Sequence, residues 1–109
     1  MSESQLIYQI MQEIGKHGYV VRCNSGTIKL DSGKYFRAMP KGFTDIMAIL
    51  PGGRVCFIEA KTEKGNLSPE QEAFIVKMQT LGCIAGAVRS IDEALRLCGI
   101  EKDLPMEGI

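Results

Sequence analysis

A Pro-Gly-Gly turn at residues 51–53 restricts the folds open to this chain. The apolar segments 46–50 and 55–58 lie on either side of it, and a turn of this composition reverses the chain between two strands. Asp45 precedes the first segment and Glu59 follows the second. Residues that face each other across such a hairpin have β-carbons about 5 Å apart. The hairpin therefore predicts two neighbouring carboxylates at one end of a sheet.

The predicted carboxylate pair has a lysine beside it. Lys61 follows Glu59 by two residues, so both side chains point to the same face of a strand. Two acids this close repel each other unless one is protonated or a cation lies between them. Taken singly, Glu59 and Lys61 are explained equally well by an exposed ion pair at a strand end, and Asp45 by a turn after Gly42. Their common register across the turn favours a metal-dependent catalytic centre.

Hydrophobic spacing predicts the elements before the hairpin. Apolar residues three and four apart indicate an amphipathic helix over residues 4–17, closed by Gly15 and Gly18. A short strand over residues 19–23 follows. Residues 27–39 are ambiguous, and the pattern fits either a strand or an ordered loop.

Capping signals predict the elements after the hairpin. Ser68 and Gln71 form a capping box with Pro69 between them, so a second helix begins here and ends at Gly82. Residues 83–88 are continuously apolar, which is typical of a strand buried on both faces.

A second capping box at residues 90–93 begins a third helix that runs through Cys98. Residues 54–88 form a strand–helix–strand unit, whose strands should be parallel. The chain is therefore predicted to be an α/β protein with a mixed central β-sheet flanked by helices on both faces. A single domain of 109 residues is expected, with its core over residues 3–98 and a tail over residues 99–109.

Composition is that of an ordinary soluble globular protein, with 45% hydrophobic and 24% charged residues. The apolar runs are too short to cross a bilayer, and the first residues lack the features of a signal peptide, so we expect a cytoplasmic protein with no membrane partner. Four cysteines without Cys-x-x-Cys spacing, and a single histidine, form no visible zinc site. The thiols are expected to be reduced and structural.

Charge is unevenly distributed along the chain. The formal net charge is zero, which argues against strong non-specific binding of nucleic acid. Positive charge is nevertheless concentrated between residues 16 and 41, where six lysines and arginines accompany Asp31 as the only acid. This segment either faces phosphates or is a solvated loop, and composition does not separate the two.

Three short segments resemble one known family. They are residues 42–45 (Gly-Phe-Thr-Asp), 57–61 (Phe-Ile-Glu-Ala-Lys) and 65–71 (Gly-Asn-Leu-Ser-Pro-Glu-Gln), and they are similar to the VRR-NUC nuclease domain. This family belongs to the PD-(D/E)xK, restriction-endonuclease-like superfamily, with an αβββαβ core. Residues 21–26 also resemble the family's segment after its first helix. The similarity covers nearly the whole chain, which looks like a stand-alone member of the phage and bacterial type.

The resemblance implies a role for each residue at the acid pair. Asp45 and Glu59, with the main-chain carbonyl of Ala60, would bind one or two Mg²⁺ or Mn²⁺ ions, which prefer oxygen ligands. Lys61 matches the lysine that orients or deprotonates the attacking water and steadies charge on the phosphate. Thr44 occupies the position of the proline in the PD-(D/E)xK motif. Substitution at this position is common in such sites and does not change the assignment.

The resemblance assigns two further residues to the site. Glu3 matches the family's first-helix glutamate by its spacing and would reach the metal directly or through a water; Glu13 is the alternative. Gln71 matches a helix glutamine that packs beside the site, although it is explained equally well as the capping partner of Ser68. His17 is expected to be a surface residue at a helix end.

The activity implied by the resemblance is metal-assisted hydrolysis of DNA phosphodiesters, leaving a 5′-phosphate and a 3′-hydroxyl. Stand-alone members resemble junction resolvases, so the expected enzyme is a structure-specific endonuclease that cuts a four-way (Holliday) junction as a C₂ homodimer. Contacts to DNA are assigned to Arg22, Ser25, Lys29, Lys34, Arg37 and Lys41. The alternatives are a flap or splayed-arm nuclease and a catalytically silent DNA-binding module. An α/β ligand-binding domain would need a glycine-rich phosphate loop, which is absent from the sequence.

Overall fold

The computed structural model describes residues 1–23 and 26–101. Its helices and strands in chain order are α1 (Glu3–Gly15), β1 (Tyr19–Arg22), β2 (Thr27–Lys29), β3 (Tyr35–Arg37), β4 (Ile46–Leu50), β5 (Arg54–Ala60), α2 (Pro69–Thr80), β6 (Ile84–Val88) and α3 (Ile91–Leu97). Ser25 and residues 102–109 of the expected tail lie outside the described residues. No helix of the described part of the chain is long and apolar enough to span a membrane.

A four-stranded sheet in the order β1-β4-β5-β6 forms the centre of the fold. Strand β4 is antiparallel to both β1 and β5, whereas β5 and β6 are parallel and are connected through α2. Helices α1 and α3 pack on one face of this sheet, and α2 packs on the other. The predicted mixed sheet flanked by helices is therefore confirmed, with β2 and β3 inserted into its αβββαβ order.

The β4–β5 hairpin has the predicted turn and register. Pro51–Gly53 forms a single 3₁₀ turn, and its two glycines have φ of 83° and 75°, which favour glycine. Ile46 pairs with Ile58 in the antiparallel ladder. In an antiparallel ladder, moving back one residue on β4 means moving forward one residue on β5, so the same register places Asp45 opposite Glu59.

The helix caps confirm one capping box fully and the other in part. At α2 the Ser68 hydroxyl accepts a hydrogen bond from the Gln71 amide at 3.1 Å, and Gln71 Oε1 accepts one from the Ser68 amide at 2.9 Å. At α3 the Ser90 hydroxyl accepts from the Glu93 amide at 3.1 Å. The Glu93 carboxylate, however, accepts from the amide of Arg89 at 2.8 Å, one residue before the predicted partner.

The prediction that β6 is buried on both faces is wrong for part of the strand. Ala85 and Val88 are buried, but Ala87 is exposed. The reason is that β6 is an edge strand, and the hydrophobic cluster beneath α2 includes Ala85 without reaching Ala87. A continuous apolar run indicates a strand but does not fix its position in the sheet.

The cysteines are free thiols, in agreement with the expectation that they are reduced. Cys23, Cys56 and Cys98 are buried, and Cys83 is half-buried. The sulfur atoms of Cys56 and Cys98 lie 3.0 Å apart within the core. These side chains contribute to packing as small apolar groups.

The ambiguous segment after β1 forms a second, separate sheet. Strands β2 and β3 pair antiparallel with each other, and every residue in them is exposed. We call residues 26–40, which contain both strands and their connection, the arm. It is inserted between β1 and β4.

Candidate active site

The acid pair lies at the end of β4 and β5, on the face of the sheet that carries α2. Glu59 is 2% exposed, and Asp45 just before β4 is half-buried. Asp45 Oδ2 accepts a hydrogen bond from the main-chain amide of Ala60 at 3.0 Å. This bond across the hairpin holds the Asp45 carboxylate against the end of β5, so the pair is positioned by the ladder itself.

The two carboxyl groups share a proton. Burial, a hydrogen bond with Asp45 and the negative charge of Asp45 together raise the pKa of Glu59 to about 9. The positive charge of Lys61 opposes this rise. At neutral pH a protonated Glu59 therefore donates to the Asp45 carboxylate, as expected for two acids in contact.

Glu3 and Glu13 lie at opposite ends of α1 and have different electrostatic neighbours. Glu3 is the first residue of the helix, and its negative charge contributes to the raised pKa of Glu59. Glu13 instead forms an ion pair with Lys16 at 3.1 Å near the other end of the helix. The assignment of Glu3 rather than Glu13 as the family's helix glutamate stays a prediction.

Gln71 performs both of the roles considered for it. Its Oε1 accepts from the Ser68 amide in the capping box, and its Nε2 donates to Glu59 Oε1 at 3.2 Å. The carboxamide therefore links the first turn of α2 to the acid pair. A single side chain can do both because its oxygen and nitrogen point in different directions.

Arg22 also contacts the acid pair, which sequence reasoning missed. Its Nη1 lies 3.4 Å from Asp45 Oδ1 and donates to the main-chain oxygens of Cys23 and Asp45 at 3.2 and 3.1 Å. Arg22 stands at the end of β1, whose register with β4 places it opposite Ile46. The missing signal was this pairing of β1 with β4, because the hairpin alone does not show which strand lies on its other side.

Thr44 contributes to the shape of the site rather than to its chemistry. It is fully buried, and its hydroxyl donates to the carbonyl oxygen of Ile46 at 3.2 Å. That bond satisfies the hydroxyl within its own segment, so Thr44 fixes the chain just before Asp45.

The residues assigned to DNA contacts are not all in one place. Lys29, Lys34 and Arg37 lie on the arm, whereas Arg22 lies at the acid pair. Lys41 forms an exposed ion pair with Glu70 at the start of α2, at 3.2 Å. The structure therefore places one of these cations at the acid pair, three on the arm and one beside the start of α2.

The oxygen donors of the pair suit a hard divalent cation. Burial and the charge of Asp45 disfavour the ionised form of Glu59. Mg²⁺ or Mn²⁺ would stabilise both carboxylates through the oxygen ligands that these ions prefer, in addition to the positive charges of Arg22 and Lys61. Among residues 1–23 and 26–101, no group of three or more histidine, cysteine, aspartate or glutamate side chains is placed to hold a metal ion. Asp45 and Glu59 would therefore need the Ala60 carbonyl and water to complete the coordination.

The mixed four-stranded sheet flanked by helices is a restriction-endonuclease-like architecture. The sequence model of the VRR-NUC domain matches residues 2–92, so the chain belongs to the VRR-NUC family, whose members are nucleases that process DNA. A solved structure described as a VRR-NUC domain is similar in fold, with a TM-score of 0.64 and 22% identity over 89% of this chain and 94% of that one. No curated protein sequence matches the chain significantly.

Proposed function

We propose that this protein is a metal-dependent, structure-specific DNA endonuclease that hydrolyses phosphodiester bonds. The observation that carries the proposal is the Asp45–Glu59 pair at the end of β4 and β5, in which Glu59 is buried, Asp45 is half-buried and the charge of Lys61 acts on Glu59. A domain that only bound DNA would gain nothing from two clustered acids facing phosphates, because both would repel the ligand. The same pair is suited to a cation that binds phosphate.

The chemistry would be divided among the residues of the pair and their neighbours. Asp45, Glu59 and the Ala60 carbonyl would hold Mg²⁺ or Mn²⁺, and Glu3 would add a direct or water-mediated contact. When bound, such an ion polarises a phosphate and lowers the pKa of a coordinated water. Lys61 points to the same face as Glu59, and its ammonium group can orient the attacking water or offset charge on the phosphate.

Gln71 would act on the pair rather than on the substrate, and Arg22 would act on the pair in addition to its proposed contact with the DNA backbone. The Gln71 amide fixes the orientation of the Glu59 carboxylate, as hydrogen-bonded neighbours of metal ligands commonly do. Arg22 offers a positive charge to Asp45 from the side of β1. Both contacts keep two mutually repelling carboxylates in one position.

The proposed substrate is branched DNA, with a four-way junction favoured and flap or splayed-arm structures as the second candidates. Two symmetric cuts across a junction require two active sites, which a C₂ homodimer supplies. Backbone contacts would come from Arg22, Ser25, Lys29, Lys34, Arg37 and Lys41, since phosphate contacts position DNA without reading its sequence. The free thiols fit a reducing compartment, and we propose that the protein acts in the cytoplasm.

Cleavage of defined DNA structures tests this function. A four-way junction, a splayed arm and a continuous duplex are each incubated with the protein in Mg²⁺, Mn²⁺ or EDTA. We expect cleavage of a branched structure with either metal and none in EDTA. A protein that binds these DNAs but cuts none of them in either metal is the silent binding module, and the nuclease proposal then fails.

A further inference from the structure

The arm has no hydrophobic core of its own. All six residues of β2 and β3 are exposed, including Ile28 at 55% and Phe36 at 53%. A lone two-stranded hairpin is at best marginally stable in water, because it has nothing to pack against. Large exposed apolar side chains on such an element indicate a surface that is covered when the protein acts.

The two faces of the arm differ in chemistry. Side chains alternate between the faces of a strand, and Ile28 pairs directly with Phe36. Leu30, two residues after Ile28, lies on that same face and is also exposed. The opposite face carries the pairs of Lys29 with Tyr35 and of Thr27 with Arg37. One face of the arm is thus mainly apolar, with Lys34 opposite Leu30 at its end, and the other combines two cations with Tyr35.

The arm is connected to the central sheet next to the acid pair. The chain leaves the central sheet after Arg22 and returns at Asp45, and the amide of Cys23 donates to the Asp45 carbonyl oxygen at 2.7 Å. Arg22 itself contacts the Asp45 carboxylate. The segments that lead into and out of the arm are therefore next to the candidate active site.

The charge of the arm identifies a polyanion as the ligand that covers it. Residues 26–40 contain Lys29, Lys34 and Arg37 against Asp31 as the single acid. Two copies of the same arm would repel each other, whereas DNA would be attracted. Apolar contact with DNA requires an exposed base face, and bases in a continuous duplex are covered by their stacked neighbours. A branch point exposes such a face.

We propose that the arm recognises the branch point of DNA: its apolar face, with Phe36 at the centre, stacks on an unstacked base pair, while the cations of the other face hold flanking phosphates. The proposal rests on the proposed function, for which it supplies the basis of structure specificity. Stacking of an aromatic side chain on a base contributes about 1–3 kcal/mol. The arm should accordingly favour a junction over a duplex by about fivefold or more.

Binding in EDTA tests the arm separately from cleavage. The affinities of wild type and Phe36→Ala are measured for a four-way junction carrying 2-aminopurine at the branch and for a continuous duplex. We expect Phe36→Ala to lose at least about fivefold in junction affinity, with duplex affinity unchanged and the fluorescence change at the branch abolished. Phe36→Trp should retain the preference, because it restores an aromatic ring.

Two control variants separate stacking from charge and from general surface effects. Tyr8→Ala removes an aromatic side chain that is 63% exposed on α1, away from the arm, and should change neither affinity. Lys29→Ala should weaken binding to both DNAs equally and lower the salt dependence by about one unit.

Several results would overturn the proposal. Wild type that binds junction and duplex equally, or Phe36→Ala that keeps the wild-type preference, excludes a stacking arm. Equal loss on both DNAs together with conversion of a dimer to a monomer in sedimentation assigns the apolar face to a second copy of the chain instead. Wild type that prefers the junction in EDTA but cuts nothing in Mg²⁺ refutes the nuclease function and leaves the arm's role standing.

Discussion

The proton shared by Asp45 and Glu59 links the stability of the metal-free protein to pH. The pKa of Glu59 is about 9 in the folded protein, well above its usual value of 4.5. The folded state therefore keeps a proton that the unfolded state loses as the pH rises above about 4.5. Because the folded state binds more protons in this range, the free energy of unfolding falls as the pH rises, until Glu59 also ionises near pH 9.

We predict that the metal-free protein becomes less stable between pH 6 and pH 8.5, by at most about 1.4 kcal/mol per pH unit from this group. Urea unfolding in EDTA measures the effect. Glu59→Gln cannot ionise and should remove this dependence, whereas Glu13→Gln, at the far end of α1, should keep it. A Glu59→Gln protein with the wild-type slope would assign the pH dependence to another group.

Gln71 offers a second prediction, because its two hydrogen bonds can be separated. Ser68→Ala removes only the hydroxyl that caps the Gln71 amide and leaves both side-chain bonds of Gln71 in place, whereas Gln71→Ala removes its bond from the residue 68 amide and its contact with Glu59. Both changes should destabilise the fold by about 1 kcal/mol. Only Gln71→Ala should also lower metal affinity or cleavage, by about 10- to 100-fold. Equal cleavage by the two variants would show that Gln71 acts only in capping α2 and has no role at the acid pair.

Among the helices and strands, the sequence predicted those whose signal is local. The β4–β5 hairpin follows from a turn between two apolar segments, and α2 follows from a capping box with a proline at its first position. Both signals lie within a few residues of the element that they specify. The acid pair was predictable for the same reason, since its register depends on the turn alone.

The parts that the sequence did not predict depend on partners far along the chain. The contact of Arg22 with Asp45 requires the pairing of β1 with β4, and the exposure of Ala87 requires β6 to be an edge strand. The arm remained ambiguous because its strands are three residues long and cover no core. The alternation of Ile28 and Leu30 is typical of a strand, but it is too short to distinguish a strand from a loop.

The return of the arm to the central sheet depends on a close contact that only glycine allows. Gly42 has φ of 91°, and a β-carbon there would lie 2.5 Å from the carbonyl oxygen of Glu70. Gly42→Ala should therefore destabilise the fold by at least about 3 kcal/mol, through backbone strain and overlap with the main chain. Gly33 in the arm has φ of 86° but open space around it.

Gly33→Ala is accordingly the matched control, and it should cost only the strain, about 1–2 kcal/mol. Denaturant unfolding of the two variants measures the difference. If the two substitutions cost the same, the segment before Asp45 is not held against the start of α2 as the structure shows.

The molecule as a whole combines a family fold with one distinctive insertion. Membership of the VRR-NUC family and the four-stranded sheet account for the acid pair, the lysine and the glutamine at one end of the sheet. The arm begins and ends next to that same end and carries three cations against one acid. Catalysis and substrate choice would then reside in neighbouring but separable parts of the chain.

Binding of Mn²⁺, measured together with cleavage, tests most directly whether the acid pair holds a catalytic metal. Mn²⁺ is titrated by electron paramagnetic resonance into wild type, Asp45→Asn and Glu13→Gln, and junction cleavage is assayed on the same samples. We predict that Asp45→Asn loses both Mn²⁺ binding and cleavage, by at least about a hundredfold, while Glu13→Gln keeps both. Mn²⁺ bound with wild-type affinity by Asp45→Asn, with cleavage retained, would place the metal and the reaction elsewhere.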